Sequence, residues 1–307
     1  MKAGDQISDK AIPSAAKLIA AIVLLQGVAS FAYPVAKYGL AIIEPFTFAF
    51  YRFVLASGLL MLLMRLRTYD IAIERRDYPR ILLLGILIIP LNQTLFLVGQ
   101  SLTAAGHGAF LFATSPIWIF ILALMHLRER FRWSRLIGVT VALAGVATIM
   151  LSGAIEVGRE YLWGDVIILV SVIAWAYYTV IGKPLVQKYG ALRMTAYALT
   201  AGSAMYFPYG LYRAVHFDYS AVTIGAWGAV AFMAIGLSLV VYVLWYWVLK
   251  YMEASRIAVY HNAQPVIATV VSYLWLGEQL GEWFVAGGLA VLVGLAISEL
   301  SRKRSSP

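Results

Sequence analysis

Apolar runs recur along the whole chain, separated by short clusters of polar and basic residues. A helix rises about 1.5 Å per residue, so about twenty apolar residues cross the hydrocarbon layer of a bilayer. Ten segments fit this pattern, near 18–36, 46–64, 81–98, 105–125, 136–151, 163–182, 191–211, 226–249, 257–276 and 283–300. They predict an all-α integral membrane protein with ten transmembrane helices. The first run follows Lys17 and superficially looks like a signal peptide. It has no convincing small-residue cleavage site and many equal spans follow, so it is read as a retained helix.

Helical neighbours lie three or four residues apart, so the polar positions inside the runs sort by face. The first helix gives Gln26, Ser30, Tyr33 and Lys37; the third gives Asn92, Phe96 and Gln100, with Gln93 beside them. The fourth gives Thr114, Ser115 and Trp118, the sixth Ser171, Trp175 and Tyr178, and the eighth Ser238, Tyr242 and Trp245. The ninth gives His261, Gln264, Ala268, Ser272 and Trp275. A polar side chain is costly against lipid, so such stripes turn toward protein or a watered cavity. A single Ser or Thr is explained by helix–helix hydrogen bonding; coincident stripes rich in Tyr and Trp predict a shared cavity. The substrate-binding candidates are therefore Ser30, Tyr33, Asn92, Gln93, Trp118, Trp175, Tyr178, Tyr242, Trp245, His261 and Gln264. The fifth and tenth helices carry small residues instead, Gly138, Ala142 and Gly145 in one and Gly287, Ala290 and Gly294 in the other. Small residues let membrane helices approach closely, so these two are assigned to scaffold, with a homodimer contact through them as a further expectation.

The small-residue positions belong to a repeat. Adding 149 to Pro116, Glu129, Gly138 and Gly145 gives Pro265, Glu278, Gly287 and Gly294 without a gap. A weaker echo at an offset of 146 pairs Lys37 with Lys183. An internal duplication follows: a first half at 17–151, an outer linker at 152–162 and a second half at 163–300, flanked by an N-terminal segment, 1–16, and a basic tail, 301–307. Five helices per half is an odd number, so the halves insert upside down relative to each other. Inverted repeats with a site at their interface, near the midplane, are a recurring plan of membrane carriers.

Composition adds the environment. Of 307 residues, 62% are hydrophobic and 13% charged, with a mean hydropathy of +0.81; soluble domains carry about 25% charged residues. The net charge of +9 is explained by topology. With the N-terminus inside, 20 of the 24 Lys and Arg fall on inner segments, three on outer segments and Arg52 within a span. This is a strong positive-inside signal: both termini are expected in the cytoplasm, in the inner membrane of a bacterium, and nucleic acid is not needed as a partner. There is no Cys, so disulfides and thiol chemistry are excluded. No HExxH, Gly-rich phosphate loop or Ser/His/Asp set is visible, so neither an enzyme nor a metal or cofactor is expected. The expected partners are the lipid bilayer and a small-molecule substrate.

The double Pro–x12–Glu–x8–Gly–x6–Gly frame, together with "EPFTFAFYRFVLA" at 44–56, "AWAYYTVIGKPL" at 174–185 and "LKYMEASRIAV" at 249–259, resembles the ten-helix, EamA-type branch of the drug/metabolite transporter superfamily. The resemblance covers residues 18–300. It implies that helices 1, 3, 4, 6, 8 and 9 surround a central cavity, the set the polar stripes select independently. It also implies efflux or exchange of small metabolites, often amino acids, by alternating access. The first helix departs from the family, reading "QGVASFAYPVAK" with Pro34 inside it.

Single residues carry two readings each. Arg52 lies about 9 Å inside the second helix, an expensive place for charge. It is a counter-charge for a substrate carboxylate, a gating latch, or a structural donor to helix-end carbonyls. Glu129 and Glu278 lie just before the fifth and tenth helices, where a carboxylate favours a helix N-terminus. His261, about 6 Å into the ninth helix, binds substrate, carries a coupling proton or packs. His107 is read as an interface residue. The leading function is a secondary carrier that exports or exchanges a small amphipathic metabolite, amino acids foremost. The alternatives are an exporter of purines or drug-like compounds and a lipid-handling membrane scaffold.

Overall fold

The structure is a computed structural model that describes residues 13–67, 72–102, 110–152, 161–276 and 283–300. Glu278 and His107 lie outside the described residues, as do the tail, most of the N-terminal segment and of the 152–162 link, and the Tyr33 side chain. Most of the described residues are helical, and none of them is in a strand. In chain order they form α1 (Ala15–Leu40), α2 (Pro45–Arg65), α3 (Arg75–Gln100), α4 (Phe110–His126), α5 (Trp133–Ser152), α6 (Leu162–Tyr189), α7 (Ala191–Val215), α8 (Ile224–Tyr251), α9 (residues 254–276) and α10 (Phe284–Leu300). Five of these, α1, α2, α3, α6 and α8, are long and apolar enough to cross a membrane, and α4, α5 and α10 are shorter apolar helices.

Local chemistry sets the ends. Pro45 opens α2, where its missing N–H costs nothing. The Thr223 hydroxyl accepts from Ala226 N at 3.2 Å and caps α8. At the end of α6, Gly190 takes φ 89°, a left-handed conformation that favours glycine, and the chain turns directly into α7. Several helices run longer than their apolar cores: α1 extends to Leu40 through Pro34, and α6 continues through Pro184 to Tyr189.

Two helices widen in the middle. Leu87–Thr94 in α3 and Met233–Val241 in α8 take the π register, and adding 146 to 87–94 gives 233–240. Pro90 removes one donor from the first of these turns. In each, a hydroxyl five residues on returns to a carbonyl: Thr94 Oγ1 donates to Ile89 O at 3.0 Å and Ser238 Oγ to Met233 O at 3.2 Å.

Close packing depends on glycine where backbones meet. A Cβ on Gly138 would fall 2.6 Å from Gly294 O, and one on Gly145 2.5 Å from Gly287 O. Helices α5 and α10 therefore run antiparallel in backbone contact, and adding 149 to Gly138 and Gly145 exchanges one contact pair for the other. The small-residue faces expected to be available for a dimer are turned toward each other within the chain. Gly85 and Gly202 likewise bring α3 against α7. Between α2 and α7, Ser57 and Ser203 share a hydrogen bond at 2.7 Å, and they are separated by the same 146 positions.

Candidate functional site

The centre of the bundle is an aromatic cluster on α6, α8 and α9. Trp175 and Tyr178 occupy the middle of α6, Tyr242 and Trp245 follow the π segment of α8, and His261 sits in a 3-10 turn of α9, Val259–Asn262. The His261 ring stacks on Trp245 with centroids 4.5 Å apart and lies 5.9 Å from Trp175. Trp175 is in turn 5.3 Å from Trp245, 5.5 Å from Tyr178 and 5.7 Å from Tyr242. All five are buried. Such a wall offers large rigid apolar faces with polar edges.

Polar groups tie the surrounding helices together. Asn92 Nδ2 on α3 donates to Ser171 O on α6 at 2.9 Å, and Gln93 bonds Asn92. Ser115 Oγ on α4 is 3.1 Å from His261 Nδ1, Gln264 Nε2 on α9 donates to Gln26 Oε1 on α1 at 2.7 Å, and Trp245 Nε1 donates to Thr179 Oγ1 at 3.2 Å. The six helices with polar stripes thus meet in pairs, and helix–helix bonding accounts for part of each stripe. Among the described residues here, Gln26 Nε2, Ser171 Oγ, Trp175 Nε1, the Tyr178 hydroxyl and the Asn262 amide are buried without a protein partner. Native interiors leave few such atoms, and a group left this way calls for water or a ligand.

Other expected members behave differently. The Ser30 hydroxyl donates to Gln26 O of its own helix at 2.6 Å. Trp118 is half-buried against the main core. Two residues the stripes missed belong to the cluster. Thr179 holds Trp245, and Tyr246 stacks on Tyr178 at 4.8 Å and fills the space over Gly182. Tyr246 lies four residues beyond Tyr242, so the same helical spacing points to it.

Arg52 is 1% exposed. Its Nε donates to Ser238 Oγ at 2.9 Å, its guanidinium lies 5.1 Å from the Phe53 ring centroid and beside the Tyr242 hydroxyl, and Nη2 has no partner. Among the described residues no carboxylate lies within ion-pair distance of it. The expected bond to helix-end carbonyls is replaced by one to a hydroxyl in the π segment of α8.

One end of the bundle carries an ionic latch. The Glu129 carboxylate accepts from Lys183 Nζ at 3.0 Å, from Ala254 N at 2.7 Å, from Ser255 N at 3.3 Å and from the Ser255 hydroxyl. Arg135, 1% exposed, joins Glu129, Glu253 and Ser255. Glu129 was expected at the N-terminus of α5; instead it satisfies the first N–H groups of α9 in the other half of the chain. The physical reason is local: Arg128 takes φ 52°, and the loop folds back across the bundle before α5 begins at Trp133. Burial pushes the Glu129 carboxyl up, but Lys183, Ser255 and the Ala254 N–H together hold it below the usual carboxylate range. Two further ion clusters lie beside the latch, Lys188 with Glu74 and Asp77, and Arg256 with Glu299. At the opposite end, Arg213 pairs with Glu44, and Tyr51, Tyr219 and Trp227 form an aromatic group.

The sequence profile of the EamA-like transporter family matches twice, over residues 17–151 and 162–300. The chain belongs to this family. A relative from Archaeoglobus fulgidus, called an uncharacterized transporter, is 29% identical over 89% of this chain and 94% of its own. The uncharacterized transporter YyaM of Bacillus subtilis is 29% identical over 86% and 87%. A protein of Streptantibioticus cattleyicolor called a probable terminal-alkyne amino-acid exporter is 28% identical over 75% of this chain and 77% of its own. A crystal structure superposes with a TM-score of 0.76 at 17% identity, covering 95% of this chain and all of that one, a likeness of fold alone. This EamA-like protein is thus a transporter held in a membrane by apolar helices, and the family and the relatives named are transporters rather than enzymes.

Proposed function

We propose that the protein is a secondary carrier that exports or exchanges small amphipathic metabolites, amino acids foremost, by alternating access. Two inverted five-helix repeats, 17–151 and 163–300, would rock about a site at the midplane, with both termini in the cytoplasm of a bacterial cell. The observation that carries this reading is the buried cluster of Trp175, Tyr242, Trp245 and His261, with the Ser115 hydroxyl on His261 and buried amides of Asn92, Gln93, Gln26 and Gln264 on the helices that carry or adjoin it. Aromatic faces suit an apolar side chain, and a few convergent polar groups fix its orientation. The exchangeable glycine contacts of α5 and α10 and the paired π segments support the repeat. The Glu129 latch joins the two halves at the end where the basic loops gather, as a closed inner gate would. The 28% identical amino-acid exporter supports the substrate class. A homodimer through α5 and α10 would use their outward faces, where Ile137, Leu289 and Val293 are exposed.

The test is counterflow in proteoliposomes. Vesicles preloaded with a mixture of unlabelled amino acids should accumulate a labelled one transiently, and a Trp245→Ala, Trp175→Ala double variant that still folds should not. Equal uptake by protein-free vesicles, or by the double variant, would sink the proposal.

A further inference from the structure

Arg52 is a buried charge with no carboxylate partner among the described residues. A guanidinium keeps its charge under all ordinary conditions. This one is 1% exposed and reaches Ser238, near the middle of the 28-residue α8, so it sits deep within the apolar bundle. A buried charge is ordinarily paired, and an ionisable residue at membrane depth marks a functional site by default. Here no negative charge compensates it among the described residues: the Ser238 hydroxyl serves Nε, the Tyr242 hydroxyl lies beside the guanidinium, an aromatic face covers the carbon, and Nη2 is without a partner.

A second observation points the same way. Tyr242, beside the guanidinium, has its ring 5.7 Å from Trp175, and the indole Nε1–H of Trp175 is also buried with no acceptor. Arg52 Nη2 and Trp175 Nε1 can only donate. Around Tyr242 there are thus two donors without acceptors and, among the described residues, no negative charge to offset the guanidinium.

We infer that the transported substrate carries a carboxylate, and that Arg52 and the Trp175 indole N–H receive it while its apolar part lies against Trp175, Trp245 and His261. This rests on the carrier reading above and narrows it. A carboxylate supplies two oxygens that accept several hydrogen bonds and one charge that offsets the guanidinium. An amphipathic cation would place its charge next to an uncompensated Arg. Drug-like cations are thereby disfavoured as substrates, although Trp and Tyr walls by themselves attract them.

The experiment uses the purified full chain and two matched sets of probes: L-phenylalanine, 3-phenylpropionate and 2-phenylethylamine, and L-leucine, 4-methylpentanoate and 3-methylbutylamine. Affinity is read by thermal stabilisation, and uptake by counterflow. The amino acid and the acid of at least one set should bind at least about tenfold more tightly than the amine, a difference of about 1.4 kcal/mol. Arg52→Gln should abolish that preference by weakening the acid and sparing the amine, and Arg52→Lys should recover part of it. If Arg52→Gln fails to fold, the wild-type preference among the probes still decides. Amines that bind or move as well as acids would overturn the carboxylate while leaving a carrier of amphipathic metabolites standing. An acid preference that survives in folded Arg52→Gln would overturn the role of Arg52. No binding or movement of any of the six would overturn the amino-acid reading itself, and this inference with it.

Discussion

At the scale of single residues, the chemistry is decided by which partner a polar group finds. Glu129 is the clearest case. Its carboxylate answers Lys183, two backbone N–H groups and Arg135 at once, on a side chain only 6% exposed. Breaking one partner of a buried pair leaves the others uncompensated, so Glu129→Gln should cost on the order of 3 kcal/mol, read by chemical or thermal unfolding in detergent. The sign with pH follows. The folded carboxyl titrates below its unfolded value of about 4.3, so its contribution is complete above that value and is lost as pH falls through the folded one. Wild-type stability should therefore fall more steeply than that of Glu129→Gln as pH drops from about 5 toward 3. Parallel acid limbs would show that Glu129 is not held as described. His261 offers a second check. His261→Leu leaves the Ser115 hydroxyl without its partner, at a cost of about 1–3 kcal/mol, and Ser115→Ala in the same background should recover part of that loss.

At the scale of elements, glycine sorts by what stands opposite it. Gly145 faces Gly287 O, and backbone cannot move aside as a side chain can. Gly145→Ala should cost about 1–3 kcal/mol, as overpacking does, and Gly145→Leu should prevent assembly. Gly27 is also inside a helix, but nothing lies within 4 Å of its missing Cβ. Gly27→Ala should be neutral or stabilising by up to about 1 kcal/mol, because alanine loses less entropy in a helix. Equal destabilisation of the two alanine variants in a thermal-shift assay would count against the α5–α10 contact. The sequence displays both glycines alike; only the packing separates them. The same holds for the π segments, which periodicity reads as ordinary helix because the apolar pattern continues through 87–94 and 233–241.

At the scale of the whole molecule, the prediction concerns which end opens. The chain contains no Cys, so single cysteines can be introduced directly. Thr179→Cys lies in the central cluster, beyond the Glu129–Lys183 latch. A membrane-impermeant thiol reagent applied from the basic end should label it slowly, and faster by about tenfold when Glu129→Gln releases the latch, which corresponds to about 1.4 kcal/mol of gating free energy. Unchanged labelling would mean that the latch is structural and the gate lies elsewhere. Reporters fused after Pro307 and within 65–80 should read cytoplasm, and one within 152–162 the opposite side; an outer signal from the C-terminus would sink the inverted topology.

Hydrophobic patterning alone determined that this chain lives in lipid, where its helices fall and which faces carry polar groups, because lipid penalises every unsatisfied polar atom at every position. The repeat spacing picked out Gly138, Gly145, Gly287 and Gly294, and the aromatic stripes picked out Trp175, Tyr242 and Trp245. What the linear pattern leaves open is pairing. That Glu129 serves α9 rather than α5, that Gln264 meets Gln26 and Ser115 meets His261, and that Arg52 meets no acid among the described residues, depends on side chains more than a hundred positions apart. Helical spacing assigns a residue to a face; only the packed bundle assigns that face a partner, and the energy of a buried polar group is set by its partner.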